Sequence, residues 1–267
     1  MSITKRIDKA RRAFEKKDVA ASQAAHTSDA IQQAVEEHGG TSHQYIGDIV
    51  YGGLDGIVTT FAIVSGVAGA GLGAGVILIL GIANLLADGF SMAAGAYLSL
   101  KSEREYYQRE RERETWEVEH FPDGEREEML ALYRVRGYSP EDAETLVSIQ
   151  SQDHERWVDE MMVQELNLLP DDRQPFHSAL ATFGSFLVAG AVPLLVCFLG
   201  LFVSVDPDTA FIVSILLSGL ALFGLGAAKV LITEHNWFRS GLEMLAIGGV
   251  AAGVAYLVGY LLRGLGG

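Results

Sequence analysis

"SMAAGAYLSLKSEREYYQRERERETWEVEHFPDG" (Ser91–Gly124) is the stretch that decides the fold. Up to Leu100 it is small and apolar, and from Lys101 it is dense in charge. No proline or glycine stands between Gly95 and Pro122. The pattern predicts one helix that leaves an apolar medium and continues into water. The whole chain divides the same way. It is 49% hydrophobic with a mean hydropathy of +0.22, yet 20% of its residues are charged. Between Lys101 and Pro175 lie 21 of its 34 acidic and 10 of its 20 basic residues, a net of −11 out of −14.

Working outward, residues Ile46–Ala70 and Val76–Leu100 form two apolar runs long enough to span a bilayer, joined by the small-residue turn "GAGLGAG". Three more runs follow the charged block, at about Phe176–Val203, Thr209–Ile232 and Gly241–Leu262. Five spans put the termini on opposite sides. Lys5, Arg6, Lys9, Arg11, Arg12, Lys16 and Lys17 before the first span, Lys101 and Arg104 after the second, and Lys229 and Arg239 around the fourth loop assign those ends to the cytoplasm. Arg263 alone opposes this. The basic N-terminus lacks an apolar core and does not read as a cleavable signal. The division expected is 1–44, a polar and basic arm; 45–100, spans one and two; 101–175, an acidic domain; and 176–267, spans three to five. The fold class is an all-α membrane protein with a three-helix cytoplasmic acidic metal-binding domain between helices two and three. Small residues at i, i+4, such as Gly249 with Gly253 and Ser91 with Gly95, predict close helix approach. Five helices rarely enclose a path alone, so a homodimer in the lipid bilayer is expected.

Composition also excludes functions. An acidic chain of pI near 4.9 is a poor partner for nucleic acid. Its single cysteine, Cys197, rules out an intrachain disulfide or a cysteine-based metal site. There is no nucleophile–base constellation and no phosphate-binding loop. Neither an enzyme nor ATP coupling is therefore expected, and no organic cofactor.

Charge within the spans is the informative departure. Asp48 and Asp55 lie seven apart on one helical face, and Asn84, Asp88 and Met92 form a second stripe at i, i+4, i+8. A carboxylate at membrane depth is costly and marks a pathway or a partner. Asp48 is close enough to the span's start to be interfacial. Asp55 is deeper, with no basic residue near it in sequence, so it must be protonated, hydrated or paired with a mobile cation. A group alternating between those states is what a cation/proton exchanger needs. Oxygen ligands with a thioether suit a borderline transition ion better than Mg²⁺ or Ca²⁺.

In the acidic block Glu103, Glu110, Glu114 and Glu117 fall on one stripe. Glu125 and Glu128 open a second helix at i, i+3. A third begins at "RGYSPED", with Ser139 as cap and Pro140 as first residue, and carries "WVDEMMVQEL", whose Met161, Met162 and Glu165 share a face. Arg104, Arg109, Arg111 and Arg113 are interleaved at pairing distance, so a plain solvated face is the competing reading. Three carboxylate-bearing helices, one with paired methionines, favour a metal site over it.

"DIVYGGLDGIVTTFAIVSG", "SMAAGAYLSLKSEREYY" and "DEMMVQEL", in that order and spacing, resemble the vacuolar iron transporter family, from about Ser42 to the C-terminus. The resemblance implies a five-span dimer that exports Fe²⁺ from the cytosol in exchange for protons. It implies metal binding at Glu103, Glu114, Glu117, Glu125, Glu128, Met161, Met162 and Glu165, and a pathway through Asp55 and Met92. The plant members carry a glutamate where this chain has Asn84, with Asp88 one turn later as its substitute. Mn²⁺, Co²⁺ and Zn²⁺ are alternative cargoes. A metal-responsive membrane scaffold or a passive cation channel are the alternative functions. The short loops favour a bacterial cell membrane over a vacuolar one.

Overall fold

The structure, a computed structural model, describes residues 9–10, 12–32, 44–203, 205–233 and 236–265. Lys5, Arg6, Arg11 and the "HGGTSH" break (38–43) lie outside the described residues, as does the side chain of Lys229. All regular structure among the described residues is helical. In chain order the helices are α1 (Val19–Ala25), α2 (Ser28–Gln32), α3 (Ile46–Gly69), α4 (Ala74–His120), α5 (Pro122–Val135), α6 (Pro140–Gln150), α7 (His154–Gln164), α8 (Pro175–Gly190), α9 (Leu195–Leu199), α10 (Pro207–Thr233) and α11 (Trp237–Leu261). The chain forms two compact units, residues 1–93 with 177–267, and Ala94–Phe176.

The first unit holds the apolar helices. α3, α4, the α8–α9 pair, α10 and α11 are each long and apolar enough to cross a bilayer, and the chain is a multi-pass membrane protein. α3 is its centre, packed against α10 and α11. Glycine permits this. A Cβ on Gly52 would lie 2.5 Å from Ser185 Oγ, and one on Gly56 would strike the Phe186 carbonyl, so α3 and α8 meet backbone to backbone. Gly259 of α11 lies against Gly66 of α3 in the same way. Among the described residues, the glycines of the pairs expected to do this stand open. A Cβ on Gly95, Gly249 or Gly253 would meet nothing within 4 Å. Spacing identifies a smooth face but not the neighbour that uses it.

The third span is broken where a continuous run was expected. α8 ends at Gly190, a 3₁₀ turn covers Val192–Leu194, and α9 resumes. Pro193 is the cause, because it lacks an N–H and its ring crowds the carbonyl one turn earlier. Ser214 of α10 donates to the Pro193 carbonyl at 2.7 Å, which satisfies a group that hydrocarbon would leave bare. At the turn after α3, Gly71 adopts φ +71°, and the Arg263 guanidinium lies beside it. The α3–α4 turn and the end of α11 therefore share one end of this unit, as an odd number of spans requires.

The second unit combines the polar part of α4 with α5, α6 and α7. Their buried faces form one core of Val118, Met129, Tyr133, Ala143, Val147, Trp157, Val158, Met161 and Met162. α5 starts with Pro122 at its first position, and α6 has Ser139 as its cap, accepting from the Asp142 N–H at 3.1 Å, with Pro140 following. The third helix expected here is in fact two. α6 stops at Gln150 and α7 starts at His154, with the Asp153 carboxylate accepting from the Arg156 N–H at 2.8 Å. An aspartate that satisfies an orphan N–H opens a new helix even where apolar spacing would allow the old one to continue.

Candidate metal centre

Glu114 and Glu117 project from α4 one turn apart, and Glu125 comes from the first turn of α5. Phe121 and Pro122 reverse the chain between them, so the two helices present their carboxylates to one another. One oxygen from each of the three lies within 4.8 Å of the others. Glu114 is fully buried and Glu125 nearly so. In each, Oε2 is enclosed without a hydrogen-bond partner. A buried carboxylate oxygen left bare is costly unless something binds it.

The electrostatics extend the group. Burial pushes the Glu114 carboxyl up to about 7, opposed by Arg113 and reinforced by Glu165, Glu125 and Glu117. Burial likewise pushes Glu125 up to about 7, with Glu128, Glu117 and Glu165 adding repulsion and Arg113 opposing it. Glu165, at the end of α7, is raised by partial loss of water and by Glu128. Five carboxylates, Glu114, Glu117, Glu125, Glu128 and Glu165, thus share one field. Met161 and Met162, both fully buried, belong to the hydrophobic core of this unit and lie on α7, four and three residues before Glu165. A set of hard oxygens with soft thioethers fits a divalent transition ion and fits Mg²⁺ or Ca²⁺ poorly.

Glu103 stands apart from this group. It is exposed, accepts a bond from Ser99 Oγ at 3.1 Å, and precedes Glu114 by eleven residues of the same helix, roughly 16 Å of rise. The arginines divide their roles. Arg113 donates from Nε to Glu110 at 3.0 Å and from Nη2 to Glu114 at 2.5 Å, and also pairs with Glu117. Arg111 pairs with Asp159 instead. Sequence reasoning noticed these residues only as surface counter-charges; the i−3, i+1, i+4 spacing of Glu110, Glu114 and Glu117 about Arg113 was the available signal. Tyr133 was not anticipated. Its hydroxyl donates to Glu160 at 2.8 Å, a bond that ties α5 to α7 and, with burial, pushes the phenol up to about 12.

In the membrane unit Asp55 and Asp88 are close enough to repel one another when both are ionised. Both are half-buried, as are Asn84 and Met92. Asn84 Nδ2 approaches Asp88 Oδ2 at 3.5 Å, a long contact but one that a glutamate at this position could make only when protonated. The structure thus brings Asp55 and Asp88 together, with Asn84 attached to the pair through Asp88. Asp48 lies in the first turn of α3 and accepts a bond from Ser178 Oγ at 2.8 Å. That contact uses part of its acceptor capacity to tie α3 to α8.

Comparison with known proteins agrees with this architecture. A family model described as the VIT family matches residues 46–260. The "Vacuolar iron transporter" of Toxoplasma gondii is 38% identical over 96% of this chain and 88% of its own length. The "Vacuolar iron transporter" of Plasmodium falciparum is 33% identical over 98% of each. The "Vacuolar iron transporter 1" of Arabidopsis thaliana is 31% identical over 84% of this chain and 88% of its own. With its five apolar helices and the family model spanning them all, this chain belongs to the VIT family.

Proposed function

We propose that this protein exports Fe²⁺ from the cytosol in exchange for protons, accepting Mn²⁺, Co²⁺ or Zn²⁺ as competing cargo. The observation that carries the reading is the trio Glu114, Glu117 and Glu125, two of whose buried oxygens lack partners; the buried thioethers of Met161 and Met162, on the helix that leads to Glu165, are its proposed soft ligands. The relatives named vacuolar iron transporters support iron as the ion. In this reading the acidic unit captures the ion on the cytosolic side, and the basic residues Lys9, Arg12, Lys16, Lys17, Lys101 and Arg104 support that orientation. A carboxylate must be deprotonated to bind metal, so protons on the far side favour release there. Asp55 and Asp88 share the work. Two neighbouring carboxylates at membrane depth offer paired oxygens to a divalent cation, and protons take its place when it leaves. Met92 supplies a soft ligand along the same stripe. A homodimer is part of the proposal. The outer face of α4 exposes Ile79, Leu86 and Phe90 next to the half-buried Asp88, and a second copy would cover a polar group that lipid would not. The membrane proposed is a bacterial cell membrane, on the short α8–α11 connections; the vacuole belongs to the relatives' names.

The test is Fe²⁺ entry into proteoliposomes with and without an acidic lumen, for wild type and Asp55→Asn. Exchange requires entry that depends on the gradient and falls at least about tenfold in the variant. Gradient-independent entry would show a channel. Ion binding without entry for any divalent cation would show a sensor or scaffold.

A further inference from the structure

The trio does not stand bare. Arg113, on the same helix, reaches two of its members and one carboxylate outside it. Nη2 donates to Glu114 Oε1 at 2.5 Å, Nη1 pairs with Glu117 Oε2, and Nε donates to Glu110 Oε2 at 3.0 Å. Arg113 is also the positive charge felt at Glu114, Glu125 and Glu165 together. Two facts follow from geometry. The Glu114 and Glu117 oxygens that face the guanidinium already spend negative charge and acceptor capacity on it, so a divalent cation drawn to them competes with Arg113. The Arg113 side chain is 41% exposed, so it can move without disturbing the core. Glu110, only 18% exposed and outside the trio, accepts from Nε, a contact separate from the two that the Nη groups make.

We infer that Arg113 is the site's built-in counter-cation, holding Glu114 and Glu117 while no ion is bound and turning on its Glu110 contact to yield them to a divalent ion. This deepens the metal-capture reading of the same cluster and rests on it. Arg113 then sets a threshold. A monovalent cation offers no more charge than the guanidinium it must displace and forms no fork-like pair, so it does not enter. A divalent transition ion gains both charge and the otherwise unpartnered Oε2 atoms of Glu114 and Glu125, which Arg113 leaves untouched.

The experiment uses the full-length protein in detergent at pH 7, with Mn²⁺ as probe because it resists oxidation and its free form is read by electron paramagnetic resonance. Affinity and thermal midpoint are measured for wild type, Arg113→Gln, Arg113→Lys and Arg111→Gln. A competing arginine predicts that Arg113→Gln binds Mn²⁺ about three- to tenfold more tightly, the scale of a partly exposed ion-pair contact. The same variant without metal melts lower than wild type, because its carboxylates now face one another, and it gains more from saturating Mn²⁺. Arg113→Lys, which keeps the charge but loses the fork, falls between the two. Arg111→Gln, whose partner is Asp159, binds as wild type does. Equal or weaker binding by both Arg113 variants, with wild type binding normally, overturns the inference and makes Arg113 a residue that positions the carboxylates. Failure of wild type itself to bind Mn²⁺ rejects the underlying capture reading instead.

Discussion

A glutamate's role here depends on where along the helix axis it lies as much as on which face it occupies. Glu103 and Glu114 share an angular stripe, so periodicity alone joins them. The structure puts Glu103 in solvent beside Ser99 and leaves Glu114 enclosed. That Glu114, Glu117 and Glu125 come together was legible because reversal at "FPDG" brings two acidic stripes face to face. Spacing offered Glu110, Glu114 and Glu117 as partners of Arg113, but it could not say whether the arginine decorates a surface or fills a site. The two glutamates give a matched prediction. Glu125→Gln removes an oxygen of the trio and is expected to weaken Mn²⁺ binding by more than about tenfold, the loss of one charged ligand. Glu103→Gln is expected to leave binding within about twofold by the same titration. Equal effects would mean that the ion sits elsewhere on α4.

Elements follow from length and punctuation. The five spans were readable because apolar runs of that length have few other uses, and α4 was readable because nothing interrupts it. What escaped was punctuation by side chains. Asp153 ends one helix and starts another through a single hydrogen bond, and Pro193 divides a span whose hydropathy is uniform. The choice of packing glycine escaped for a related reason. Gly56 meets a backbone carbonyl of α8, whereas Gly224 on α10 meets nothing within 4 Å. Gly56→Ala must push α3 and α8 apart and is expected to cost about 1–3 kcal/mol, as overpacking does, while Gly224→Ala is neutral or slightly favourable. Thermal unfolding in one detergent compares them. A neutral Gly56→Ala would mean that α8 is free to shift.

At the scale of the molecule, charge is collected in one unit and apolar surface in the other, and the first titration of consequence lies in the acidic unit. Glu114 and Glu125 are both raised from about 4.5 to about 7. Between those values the folded protein holds protons that the unfolded chain has already lost. The stability they provide is complete below about pH 4.5 and disappears as pH rises through about 7. The metal-free protein is therefore expected to melt progressively lower from pH 5 to about 8, by an amount on the order of a few kcal/mol in all. Saturating Mn²⁺ should flatten that slope, because the ion replaces the protons. Calorimetry across this range with and without Mn²⁺ is the measurement, and a metal-free midpoint that rises with pH would contradict it.

Met161 and Met162 have so far figured as packing and as soft ligands, but their complete enclosure bears on durability as well. Ferrous ion in the presence of peroxide generates the reagents that turn thioethers into sulfoxides, and a sulfoxide would thrust a polar oxygen into the cluster of Val158, Trp157 and Met129. If the acidic unit gathers iron as proposed, it concentrates a hazard to this sulfur. The close packing that excludes water from these two side chains also excludes dissolved oxidant, and so would shelter them from the chemistry of the proposed cargo.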